Sequence, residues 1–332
     1  MLPILALLVI SFIFFWVITI NNSLLRIVTF IGLTIRWIST IAGIYLINLP
    51  EDAGDAKRFQ LNAINKSIEI FDEPYADPST VPSYIISNKI SKKYKVAISG
   101  DGGDELLGGY VRTNELMMPN RTSLNFLNYF DIFYPKFLGT GNKFKKYSND
   151  FGFAISSYFS DSNFLNLLNL KYQSNFKDKF IKLIDDEYKT LLLTEYKFYL
   201  SEMMMLKIDR TSMANSLEIR SPFVDHRLVE YILTRDNSYY DINYPKSILK
   251  KYLDKDFNSS FLNRKKMGFV FNVENWIYKN FSDVKEIILL NKGGLDLNNF
   301  NKLTLYKSRV NANRIWKLYF LEIYLSSFDR LR

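Results

Sequence analysis

The chain contains no cysteine. Disulfides, thiolate zinc sites and cysteine nucleophiles are therefore excluded, and a reducing compartment, taken here as cytoplasmic, is the matching expectation. Histidine occurs once, at His226, which leaves no room for a histidine-based triad or a multi-histidine metal site. Set in Pro222-Phe223-Val224-Asp225-His226-Arg227, it reads as structural. A long basic block is missing too. The formal net charge is +9, but the lysines lie in scattered pairs such as Lys92-Lys93, Lys145-Lys146, Lys250-Lys251 and Lys265-Lys266. No nucleic-acid motif accompanies them, so nucleic acid is not an expected partner. The charge reads as a solvated basic surface that favours anionic substrates. No internal repeat or low-complexity linker stands out.

What remains is a globular composition. Hydrophobic residues make up 48% and charged residues 23% of 332 positions, with 27 Phe and 22 Tyr as core material. That length suits one large domain or two modest ones. Ile85, Ile86 and Ile90 mark one face of a helix over 80–93, and a strand is predicted over 95–99. The next helix is expected to begin at Glu105. Beyond about 120 the patterns are helical. Phe176, Phe180, Leu183, Ile184, Tyr188 and Leu191 keep a 3.6-residue period. Further helices are predicted over 195–217, 247–254 and 313–327, with Met203-Met204-Met205 as core filler. Gly139-Thr140-Gly141-Asn142-Lys143 lacks the Walker spacing and reads as a turn.

Residues 94–110, YKVAISGDGGDELLGGY, carry the most information. Val96-Ala97-Ile98 reads as a buried strand running into a loop that holds Gly100, Gly102 and Gly103 with Asp101, Asp104 and Glu105. Glycines let backbone amides approach a phosphate closely. Carboxylates beside those amides make sense if a divalent cation comes with the phosphate, because hard cations take oxygen ligands. A nucleotide-phosphate and magnesium site at the end of a strand is one reading. An Asp/Gly turn without a ligand is the other.

Three further segments stand around this loop: Phe71-Asp72-Glu73-Pro74-Tyr75-Ala76-Asp77-Pro78-Ser79; Lys207 to Asp225, KIDRTSMANSLEIRSPFVD; and Arg264-Lys265-Lys266-Met267-Gly268-Phe269 with Trp276. In this order and spacing they resemble the synthetase domain of glutamine-dependent asparagine synthetases, over roughly residues 70–330. The resemblance implies an α/β fold. An adenine-nucleotide alpha-hydrolase-like parallel sheet layer, incomplete at its N-terminal side, would be followed by a mainly helical half, the whole occupying 51–332. It implies a carbon–nitrogen ligase using ATP and Mg2+, in which aspartate is adenylated on its side-chain carboxylate and ammonia then displaces AMP. Related amidotransferases act on other carboxylates, and a non-catalytic member is a third reading.

The resemblance also assigns residues. Ser99 and Gly100 match nucleotide-contacting positions, with Gly102 and Gly103 in the same loop. Asp104 matches the magnesium position. Asp101 and Glu105 match acidic positions near the acyl-adenylate. Lys266, or failing that Lys265, matches a lysine that neutralises the phosphates. Asp209 and Arg210 are expected to line the site, and Glu218 with Arg220 to form a buried or interface ion pair. Asp72-Glu73-Pro74 is expected to be a shaped loop near the site. The family's glutaminase half uses a cysteine, so ammonia is expected free or from a separate glutaminase; a homodimer is also compatible.

Residues 1–50 fall outside this pattern. Residues 1–20 carry no charge, and 24–48 form a second apolar stretch interrupted by Arg26 and Arg36. They read as a transmembrane hairpin anchoring the chain through 1–48, as an out-of-frame or wrongly started segment, or as a divergent buried one. The family's Ser-Gly-Gly-x-Asp-Ser loop is expected upstream of Asp72, and no Ser-Gly-Gly occurs anywhere. Weak activity of the chain alone is the expectation.

Overall fold

The computed structural model describes residues 63–168, 186–235, 246–254, 256–262 and 271–328. The apolar run 1–48, the periodic residues 176–184 and both Lys265 and Lys266 lie outside the described residues. Helix α1 (Thr80–Ser91) precedes strand β1 (Val96–Ile98) and the short helix α2 (Gly103–Leu106). Helix α3 (Glu187–Thr194) continues through a π-helical segment, Glu195–Met205, into α4 (Leu206–Met213) and strand β2 (Glu218–Arg220). Then come α5 (His226–Leu233), α6 (Ser247–Leu253), α7 (Val273–Lys279), α8 (Phe281–Ile288), α9 (Leu297–Thr304) and α10 (Arg309–Phe328). Among the described residues the chain is thus mainly helical around a small parallel sheet.

β1 and β2 pair in parallel, with Ala97 opposite Ile219. The sheet has two strands among the described residues. The expected burial of β1 is not observed: Val96 is 43% and Ile98 78% exposed. An apolar run reads as interior only if layers cover both faces, and here Ala97 alone is partly covered while Ile98 lines a cavity. β2 was not expected as a strand. Ser216 adopts a left-handed conformation (φ 53°) after α4, and this reversal ends the helix that the pattern extends to 217. The Glu218–Arg220 pair, at 2.8 Å, lies exposed on β2 rather than buried, because both side chains point away from the core.

In α1 the buried positions are Thr80, Val81, Ser83 and Ser87, not the isoleucine stripe. Short side chains there permit the close packing of α1 on α4. Ile86 and Ile90 instead face a cavity. Tyr188 and Leu191 are buried, as their period requires. His226 is four-fifths exposed, its Nδ1 4.0 Å from Asp225 Oδ1, so no burial supports the structural reading. The capping role falls to Asp225, whose carboxylate accepts from Arg227 N–H at 2.9 Å.

The main core gathers around α10. Trp316, Ile315, Phe320, Phe300 and Ile277 are almost fully buried. Trp276 meets Trp316 edge-on at 5.4 Å between ring centroids. Each such side chain contributes roughly 1.5–3 kcal/mol by leaving water. Arg314, also buried, is held by both oxygens of Asp161 at 2.8 and 2.9 Å and by the Gly139 carbonyl at 3.0 Å. Those bonds satisfy a charge that would otherwise be costly to bury.

The same core clamps the 71–79 loop. Trp316 Nε1 donates to the Ala76 carbonyl at 3.1 Å. Tyr324 Oη donates to the Asp72 carbonyl at 2.7 Å. The Phe71 and Tyr75 rings stack at 4.4 Å, and Tyr75 Oη donates to the Met203 carbonyl at the end of the π-helical segment.

Candidate active site

A cavity of about 1040 Å³ opens between α1, the end of β1, α4 and the N-terminal ends of α7 and α10. That exceeds the 300–1,000 Å³ typical of small-molecule pockets, so it has room for more than one small ligand. One wall is the glycine loop. Ser99 closes β1 by donating its N–H to the Arg220 carbonyl at 2.9 Å, and its hydroxyl lies 2.6 Å from Ser221 Oγ. A side chain at Gly100 would meet nothing within 4 Å, so the backbone is open to approach there. Gly102 sits at φ +90°, and a Cβ would press on Val224 and Phe223 at 3.1–3.2 Å; only glycine serves. Gly103 packs beneath the Phe223 ring.

Asp101 and Asp104 line the cavity together with Ser99. Asp104 is paired with Lys246 Nζ at 2.7 Å. The loop is so tight there that a Cβ on Gly109 would lie 1.9 Å from Asp104 Oδ1. Glu105 behaves differently. Its side chain is buried and accepts from Tyr110 Oη. It therefore acts on the cavity only through Tyr110, which does line it. Burial first, and then the Glu105 carboxylate, push the Tyr110 phenol well above its ordinary range, so it stays a neutral donor.

Behind Tyr110, the Arg112 guanidinium lies 3.9 Å from that ring's centroid and 4.5 Å from that of Tyr199. It forms a two-pronged pair with the buried Glu195. Burial works against the Arg112 charge, but Glu195 more than offsets it and the pKa rises. This pair stiffens the aromatic wall.

Asp209 and Arg210 do not reach the cavity wall. Asp209 is exposed, and Arg210 turns outward to Asp72 at 2.7 Å. Lys207, Ile208 and Thr211 of that helix do reach it, and Lys207 is the charged one. Its ammonium is buried, donates to Ser79 Oγ at 2.8 Å and lies 3.5 Å from Asp77 Oδ2. Met204 Sδ is 3.2 Å away, so this methionine lines the cavity rather than filling the core. Lys207 opens the sequence motif, yet no role was expected of it. The available signal was a lone lysine two positions before Asp209, on the helix face shared with Met204 and Thr211.

Among the described residues no three His, Cys, Asp or Glu side chains converge on one point. Magnesium, however, commonly binds through one or two carboxylates plus substrate phosphates. Asp101 and Asp104 on one cavity wall suit that demand as hard oxygen donors. A cation at Asp104 would compete with Lys246.

An α/β layer with a glycine–carboxylate loop at a strand end is the frame of a nucleotide-dependent enzyme class. The asparagine synthase family model matches residues 56–313, and the chain belongs to that family. It is 26% identical over 253 residues to the glutamine-hydrolysing asparagine synthetase 1 of Bacillus subtilis (strain 168), covering 69% of this chain and 39% of that one. Asparagine synthetase 3 of the same organism is 29% identical over 185 residues, covering 54% and 26%. A putative asparagine synthetase of Methanocaldococcus jannaschii is 48% identical over 48 residues, 14% of this chain and 9% of that one. The chain thus spans under two fifths of the length of these curated relatives. No solved structure matches it. Among the described residues no helix is long and apolar enough to cross a membrane.

Proposed function

We propose that this chain binds ATP in the cavity beside the glycine loop and activates the side-chain carboxylate of aspartate as β-aspartyl-AMP, releasing pyrophosphate. Ammonia then attacks the acyl carbon to give asparagine and AMP. Family membership supports the ATP-dependent amidation. The observation that carries it to this site is the convergence of Ser99, Asp101 and Asp104 on one large cavity.

In this reading Ser99, Gly100, Gly102 and Gly103 present the loop backbone to the nucleotide. Mg2+, when bound, would neutralise pyrophosphate charge, with Asp104 as its protein ligand and Asp101 beside it. Asp101 faces the acyl-adenylate. Glu105 accepts from the Tyr110 hydroxyl and so fixes that ring in the cavity wall, and Lys207 holds the 77–79 loop as the opposite wall. Lys266 supplies positive charge to the phosphates and the intermediate, where one well-placed donor is worth about 3–4 kcal/mol of transition-state stabilisation. Asp209 and Arg210 act from outside the cavity, through the Arg210–Asp72 contact. Nitrogen arrives as ammonia, since a cysteine glutaminase is excluded from these 332 residues.

Aspartate-dependent exchange of labelled pyrophosphate into ATP tests the first half-reaction. Exchange above the aspartate-free background supports the reading. Exchange driven only by another carboxylate would transfer it to a related amidotransferase, and none at all would sink it.

A further inference from the structure

The 3-10 helix Arg121–Phe133 is polar where it meets the protein and apolar where it meets water. Three residues per turn put side chains at i and i+3 in one row. From Asn125 onward one row is Asn125, Asn128 and Asp131. The other two are Phe126, Tyr129 and Ile132, and Leu127, Phe130 and Phe133. The polar row is the one tied down. Asn125 Oδ1 accepts from the Asn149 N–H at 3.1 Å, and Asp131 lies 3.6 Å from the buried Lys145 ammonium. The apolar rows are left out: Phe126 is 56%, Tyr129 62%, Phe130 37%, Ile132 77% and Phe133 81% exposed. Single apolar residues on a surface are ordinary, but a contiguous stripe marks an interaction site.

Both ends of the segment are fixed. Arg121 donates to the Lys146 and Ser148 carbonyls at 3.0 and 2.5 Å, and Arg314, rooted in the main core, donates to the Lys136 carbonyl at 2.7 Å. The surroundings are basic. Between Glu115 and Asp150 the sequence holds five cations, Arg121, Lys136, Lys143, Lys145 and Lys146, and a single acid, Asp131. Lys146 is paired with Glu115 at 3.2 Å. Lys136 and Lys143 are exposed. The Phe144 ring lies 6.3 Å from that of Phe130, which places Lys143 beside the stripe.

Nine residues of such a helix span only about 16–18 Å. Five side chains are too few for a stable protein interface, which takes about 20–30 residues a side. They suffice for an interfacial anchor, in which aromatic rings sit at headgroup level and lysines meet anionic lipid. Residues 1–20, outside the described residues, carry no charge and suit the same apolar medium. We infer that this helix is a membrane-docking stripe. Phe126, Tyr129, Ile132 and Phe133 enter the headgroup region of an anionic bilayer, and Lys136 and Lys143 engage its headgroup charges. Nothing in this depends on the proposed function.

Flotation of the full chain with vesicles of phosphatidylcholine, alone or mixed with phosphatidylserine, tests it. The chain is expected to float with the mixed vesicles and far less with phosphatidylcholine alone. Ile132→Ser and Phe133→Ser each replace a side chain more than three-quarters exposed, so the fold is kept, and each should weaken binding about tenfold. Lys136→Glu and Lys143→Glu should each weaken binding to the mixed vesicles about fivefold or more. The chain has no cysteine, so Phe133→Cys offers a single site for a bimane label. Its emission should shift to the blue with mixed vesicles and be quenched by lipids brominated on the acyl chain. Absence of flotation with either vesicle overturns the inference. Equal flotation of the parent and the Ile132→Ser/Phe133→Ser double variant also overturns it, and assigns membrane binding to residues outside the stripe. So does a blue shift of the label that needs no vesicles and grows with protein concentration, which gives the stripe to a second copy of the chain.

Discussion

Lys207 Nζ donates to Ser79 Oγ at 2.8 Å and lies 3.5 Å from Asp77 Oδ2, joining helix α4 to the loop that enters α1 across 128 positions of sequence. Both ends of this pair are largely buried. Removing one partner leaves an uncompensated charge, the costly half of a buried ion pair. Lys207→Met is expected to destabilise the chain by about 3 kcal/mol, read from urea unfolding. The same variant should weaken nucleotide binding, because the wall opposite the glycine loop is then unanchored. Unchanged stability would mean that the Ser79 N–H and hydroxyl, which donate to the Asp77 carboxylate at 2.9 and 2.8 Å, suffice for its charge.

Gly102→Ala tests the loop itself. The residue sits at φ +90°, and its new Cβ would meet Val224 and Phe223 at 3.1–3.2 Å. Strain in this region costs on the order of 1–3 kcal/mol. The expected result is a comparable fall in unfolding free energy together with loss of nucleotide affinity. Gly100→Ala meets nothing within 4 Å and should leave stability nearly unchanged, so any binding defect there reports close approach of a ligand.

Lys246→Gln removes the cation from Asp104. The pair, at 2.7 Å, is a quarter to a third exposed, so stability should fall by less than about 1 kcal/mol. Nucleotide binding should then depend more steeply on added Mg2+, because the carboxylate has lost its internal counter-ion. Calorimetric titration of ATP with and without Mg2+ measures this; an unchanged Mg2+ dependence would remove Asp104 from the metal's neighbourhood.

Alkaline pH should unfold the chain through its buried phenols. Burial, with the Asp186 charge adding to it, pushes Tyr188 up to about 12. Burial raises Tyr199 to about 12 as well, against the pull of Arg112. Unfolded tyrosines ionise near 10, so above that pH the unfolded chain binds fewer protons than the folded one. The stability these groups supply is fully present below pH 10 and is lost as pH rises toward 12. Each contributes a slope of up to about 1.4 kcal/mol per pH unit. Urea midpoints should fall between about pH 9 and about pH 11, with tyrosinate absorbance rising in the same transition as unfolding.

Local chemistry by itself determined much of this protein. The glycines and carboxylates of residues 99–105 define a strand–loop–helix junction wherever the chain goes, because few residues other than glycine tolerate the backbone at Gly102. The segments 80–93 and 313–327 read as helices from the sequence, and helices span Thr80–Ser91 and Arg309–Phe328. Four motifs in order were enough to name the family. Tertiary structure decided the rest. It turned the Ile86 face of α1 to the cavity, since serines opposite α4 permitted the closer packing. It left Ile98 exposed, because burial of an apolar run depends on layers that no local pattern specifies. It buried Lys207 and turned Arg210 outward, although the two stand three positions apart on one short helix. It also turned Asn125 and Asp131 to the protein and left Ile132 and Phe133 in water. A charged side chain's partner lies far away in sequence, and only the packing that brings Lys145 to Asp131 and Arg314 to the Lys136 carbonyl decides which row of that helix faces out.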